Sequence, residues 1–129
     1  MNISTLRQNY RKQNAWGLSA CLDLKSCDHN LIQSPKDIRQ FVAQLCRKIK
    51  MKAYGPLYLK KFGEGSLEGY SAVQFIETSS ITIHFDDKTG DRAVIDIFSC
   101  QFFDPFMAKE FSQKYFRAKS AKMRILIRK

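Results

Sequence analysis

The chain has 129 residues, with ten Phe, five Tyr and a hydrophobic share of 44%. That suits one domain around one core and excludes a disordered chain. The formal net charge is +10, but the Lys and Arg residues are spread out, and without a block of five or six like charges no basic tail is indicated.

Residues 1–14 read as a loose leader, polar and basic, without the apolar core of a signal peptide. No run approaches the roughly 18 apolar residues of a membrane span. A cytoplasmic location is therefore expected, with Cys21, Cys27, Cys46 and Cys100 reduced. No CxxC pair occurs, and His29 and His84 complete no ligand pattern, so no metal site is expected.

Trp16 to Leu24 alternates as a strand, with Leu18, Ala20, Leu22 and Leu24 on one face. Residues 26–30 form a turn. Ser34-Pro35-Lys36-Asp37 then reads as a helix start, with Ser34 as N-cap and Pro35 in the first turn. Ile38, Phe41, Val42, Leu45 and Ile49 follow at helical spacing and should face a sheet. Gly55-Pro56 ends that unit. Strands are expected over 57–62, 70–78, 80–85 and 92–100, with 86–91 as the loop joining the last two. Asp104-Pro105 repeats the cap-plus-proline start, and Met107, Phe111 and Tyr115 fall on one stripe. A last strand runs from Met123 to Ile127.

This order predicts an α+β fold in a single domain. A mostly antiparallel sheet carries two helices on one face, as a two-layer sandwich.

The stretch Ser79-Ser80-Ile81-Thr82-Ile83-His84, with Cys100 sixteen residues further on, holds a hydroxyl, an imidazole and a thiol. A serine hydroxyl held against the preceding carbonyl can take the acyl group from nitrogen to oxygen. A base that removes the serine Cα proton then opens the ester by β-elimination. His84 suits that role, because the ordinary imidazole pKa of about 6.5 lies near working pH. Hydrolysis of the dehydroalanine leaves a pyruvoyl group. That ketone forms a Schiff base with a substrate amine and acts as an electron sink in decarboxylation. A thiol such as Cys100 can return the proton. Hairpin geometry suggests that His84 and Ser79 lie close, with Cys100 near both. Residues of these types on strands are more often structural, and pattern alone does not select the catalytic reading.

Several separated motifs add to it in order. They are Leu22-Asp23-Leu24, Gly69-Tyr70-Ser71, Glu77-Thr78-Ser79-Ser80-Ile81-Thr82-Ile83-His84, and Ile95-Asp96-Ile97-Phe98-Ser99-Cys100 followed by Asp104-Pro105. From Trp16 onward the chain resembles the pyruvoyl-dependent S-adenosylmethionine decarboxylases of the short bacterial type. The resemblance implies self-cleavage between Thr78 and Ser79, giving a β chain of residues 1–78 and an α chain of residues 79–129. It implies that Ser79 becomes the pyruvoyl group, the covalent cofactor. It makes His84 the processing histidine, Ser71 the serine that hydrogen-bonds the processing intermediate, and Cys100 the proton donor. It further implies a homodimer of cleaved protomers with sites at or near the interface, and a role in spermidine synthesis.

The chain departs from the family pattern in two places. Thr78 stands where a Glu usually precedes the processing serine, with Glu77 one position earlier. Asp86 and Lys88 stand where an adenine-stacking aromatic and a ribose-binding Glu are usual. Phe85 or Phe62 could stack instead, Glu77 could contact substrate, and Asp23 could steer a cationic one. The departures keep open a pyruvoyl-dependent decarboxylase of a smaller amino acid, ornithine or arginine. Readings from other classes are an inactive homologue acting as a binding partner and a small basic nucleic-acid-binding domain.

Overall fold

A computed structural model describes all 129 residues. The elements are α1 (Ile3–Lys12), β1 (Gly17–Lys25), α2 (Pro35–Lys48), β2 (Tyr58–Phe62), β3 (Gly69–Ile76), β4 (Ser79–Asp86), β5 (Arg92–Ser99), α3 (Pro105–Tyr115) and β6 (Ser120–Arg128), with short 3₁₀ turns at Leu31–Gln33 and Gly65–Leu67. The strands form one sheet in the order β2-β3-β4-β5-β1-β6, antiparallel throughout. The fold is α+β, as the sequence predicts.

Both proline-led helices start as read. Ser34 Oγ accepts from the Asp37 N–H at 3.2 Å. Asp104 Oδ1 accepts from the N–H groups of Phe106 and Met107 at 2.9 and 3.1 Å. Each side chain satisfies donors that the first helical turn leaves free. Ile38, Phe41, Val42, Leu45 and Ile49 are all buried, against Leu18, Ala20, Leu22, Ile81, Ile83, Ile95 and Ile97 of the sheet's inner face. The other face of the sheet has no helix over it. It carries the alternate residues, among them Ser71, His84, Val94, Asp96 and Asp23.

The structure corrects four details. Residues 3–12 are a helix rather than a loose leader, which makes three helices. Asn2 caps α1 through the Thr5 N–H at 2.9 Å, and Leu6 is fully buried. Ile3, Leu6 and Tyr10 supply a sparse helical stripe that the surrounding polar residues hide. On α3 the buried positions are Ala108 and Ser112, whereas Met107 is exposed. Small residues at the contact allow close approach, and Phe111 and Tyr115 flank it against Phe41. The strand expected over 70–78 stops at Ile76, leaving Glu77 and Thr78 as a two-residue turn. Finally, Phe85 lies in the core with its ring 5.4 Å from that of Phe116, so it offers no face to a ligand.

Candidate active site

The β3–β4 turn sets the first half of the site. Two-residue hairpin loops match strand twist when their own residues adopt positive φ. Neither Glu77 nor Thr78 does so; the distortion falls on Ser79, at φ 155°. Non-glycine residues rarely adopt that region, and holding one there costs about 1–3 kcal/mol. Ser79 pairs with Ile76 on one side and with Ser99 of β5 on the other. This register brings the end of β5 beside the turn. The Cys100 N–H donates to the Thr78 carbonyl oxygen at 2.9 Å. Thr78 Oγ1 and Ser99 Oγ share a hydrogen bond of 2.7 Å, and Met51 Sδ lies 3.3 Å from Thr78 Oγ1. The Thr78–Ser79 peptide is therefore twisted on its serine side, polarised at its carbonyl and clamped at the Thr78 side chain.

Cys100 is exposed and free, whereas Cys27 and Cys46 are buried. Burial pushes the Cys27 thiol up to about 11, helped by the Asp91 charge. Burial raises Cys46 as well. Among these three thiols Cys100 has the ready access to solvent. Tyr10 of α1 is close enough for its pKa to be raised, first by burial and second by the Cys100 charge.

The second half lies on the outer sheet face. Ser71 and His84 are directly paired across β3 and β4, and Ser71 Oγ lies 2.8 Å from His84 Nδ1. Gly69 makes this possible, because a Cβ there would collide with the Phe85 carbonyl oxygen. The hydroxyl engages Nδ1, and Nε2 has no partner in the chain. Lys60 pairs with Ser71, and Phe62, exposed on the edge strand, sits two residues along the same face. Asp23 lies in the same transverse row, with Val94 between it and His84.

The two halves do not meet within one chain. Ser79 and His84 stand five residues apart on β4, about 16 Å at the rise of an extended strand. The expectation that they lie close is corrected. So is the expectation that Cys100 lies near both, since Cys100 follows the Ser79 partner and His84 pairs with Val94. Glu77 is exposed at the turn, with its N–H on the Lys52 carbonyl.

Asp86 and Lys88 serve the β4–β5 turn. Burial alone would raise the Asp86 carboxyl. Hydrogen bonds from the Thr89 hydroxyl and N–H, the Arg92 guanidinium and the Lys88 N–H outweigh it and hold the group well below the usual range. The sequence reading missed Ser99, Met51 and the Cys100 amide. Pairing β4 with β5 in register would have found Ser99; nothing in the sequence points to the other two.

The family model described as S-adenosylmethionine decarboxylase matches residues 18–129. The chain belongs to the S-adenosylmethionine decarboxylase family. Membership makes it a decarboxylase of S-adenosylmethionine, the reaction implied by its motifs, and places it in polyamine synthesis. A curated relative, the S-adenosylmethionine decarboxylase proenzyme of Carboxydothermus hydrogenoformans, is 27% identical over 120 residues, covering 88% of this chain and 91% of its own length. The crystal structure of the adenosylmethionine decarboxylase from Aquifex aeolicus is similar in fold. Its TM-score is 0.73 at 20% identity, over 88% of this chain and 91% of that one. No helix of this chain is long and apolar enough to cross a membrane.

Proposed function

We propose that this family member cuts itself between Thr78 and Ser79 and uses the pyruvoyl group formed from Ser79 to decarboxylate S-adenosylmethionine. The observation that carries the reading is the Cys100 N–H on the Thr78 carbonyl, in the peptide that leads into Ser79 at φ 155°. Ser79 Oγ attacks the Thr78 carbonyl carbon, and the Cys100 amide takes the charge that develops on the oxygen. The Thr78–Ser79 C–N bond breaks as the ester forms, and the strain at Ser79 is released. A base removes the Ser79 Cα proton, the Thr78 carboxylate leaves, and hydrolysis of the dehydroalanine releases ammonia. The ketone so formed supplies an electron sink for the loss of carbon dioxide. The Cys100 thiol, exposed beside it, returns a proton to the carbon that lost the carboxylate.

The base is His84 of a second copy. A two-fold axis running across the strands through the Thr82–Asp96–Cys21 row, midway between Ser79 and His84, stacks two outer faces. Sheets so packed lie about 10 Å apart. The Ser79 end of each β4 then lies over the other copy's Ser71–His84 pair. The exposed Phe75, Val94 and Leu126 of that face become buried. Phe62, beside the Ser71–His84 pair, is the proposed aromatic platform for adenine, and Asp23 and Glu77 offer carboxylates to the cationic substrate. The four unpaired thiols suit a cytoplasmic location.

Co-expression of Ser79→Ala and His84→Ala chains tests this arrangement. Alone, neither variant is cleaved. Mixed, the His84→Ala chain is cleaved, because its partner supplies the imidazole. A His84→Ala chain that stays intact in the mixture contradicts the shared site.

A further inference from the structure

The connection from Cys100 to α3 runs between α1 and the end of α2. A cavity of about 410 Å³ lies among them, within the size range of small-molecule sites. Arg7 of α1 and Lys48 and Lys50 from the end of α2 line it, with Phe102 and Phe103 among the apolar walls. The one acid is Asp104, whose Oδ1 is already engaged by the N–H groups of α3. Three cations thus face one carboxylate.

None of the three cations has an ion pair within the chain; the salt bridges all lie elsewhere. The Arg7 guanidinium rests 4.4 Å from the Phe102 ring centroid, which holds its position and leaves its N–H donors unspent. Lys50 adopts φ 58° just past α2, a position where glycine is the usual residue, as Asn14 and Arg117 do past α1 and α3. Cations at a helix C-terminus are favoured by the dipole. That accounts for the charge of Lys48 and Lys50. It does not account for Arg7, which arrives from a different helix. Moreover α1 lies wholly before residue 18, where the family match begins. The wall carrying Arg7 lies outside the matched segment.

We propose that this cavity binds a small polyanion through its di- or triphosphate group. A guanidinium presents paired N–H donors to phosphate oxygens, and two flanking ammonium groups neutralise the remaining charge. The apolar walls exclude water from one side of the contact.

Inorganic pyrophosphate and ATP, titrated separately into the full chain by calorimetry at physiological salt, test it. Saturable binding of both is expected, and the tighter of the two tells whether the polyphosphate is free or carried by a nucleoside. Arg7→Gln should weaken binding about tenfold or more. Lys50→Gly should do the same while leaving the fold at least as stable, because it relieves the left-handed backbone. This variant separates lost binding from lost structure. Lys60→Gln/Lys61→Gln, on the edge strand β2, removes two charges elsewhere and should leave affinity unchanged. Absence of saturable binding overturns the proposal. So does equal weakening by the β2 pair, which would assign binding to net charge alone. The readout is independent of cleavage and turnover.

Discussion

Ser79 joins a hydroxyl to a backbone held at φ 155°. The cost of that strain separates two variants that both lack the hydroxyl. Ser79→Gly should unfold at a higher temperature than Ser79→Ala, by the equivalent of about 1 kcal/mol, since glycine alone adopts the region freely. Equal melting temperatures would remove strain from the account. The proposed function gives Cys100 two roles, through its amide on the precursor carbonyl and through its thiol in turnover. Cys100→Ala keeps the amide. It should therefore still be cleaved, yet lose kcat by about 10²-fold or more, the range of a positioned acid. Gel bands and carbon dioxide release from the same preparation check both halves. Loss of cleavage with the thiol would mean that the side chain, not the amide, serves the first step.

Among the elements, the β4–β5 hairpin gives the clearest pH dependence. Asp86 accepts from Lys88, Thr89 and Arg92, and its pKa is lowered in the fold. A lowered carboxyl stabilises the fold fully above its unfolded value of about 3.9 and loses that contribution as pH falls through the folded value. Asp86→Asn should thus be less stable than the parent at pH 7, and the gap should close as pH falls below about 4. A gap that persists unchanged in acid would assign the effect to shape rather than charge. The helix starts and strand alternation were legible because caps, prolines and period-two patterns act within a few residues. The α1 helix was not, since it rests on Leu6 and Tyr10 meeting a surface built by residues far along the chain. Ser71, Ser79, His84 and Cys100 could be named from motifs. Their separation could not, because it depends on where the turn falls: ending β3 at Ile76 fixes the register of β4 and sets Ser79 and His84 at opposite ends of it. Phe85 was a similar case, aromatic and adjacent to His84 but on the inward side of an alternating strand.

At the scale of the molecule, one copy holds a primed peptide at one end of β4 and a hydroxyl–imidazole pair at the other. The uncovered sheet face lies between them. In the proposed dimer, two copies related through that face complete two sites at once, which would tie assembly to processing. Self-cleavage is read from the intact mass of the purified chain under denaturing conditions. Two species are expected, residues 1–78 and residues 79–129, the second beginning with a pyruvoyl group in place of serine. A single full-length mass that persists after long incubation at neutral pH would contradict it.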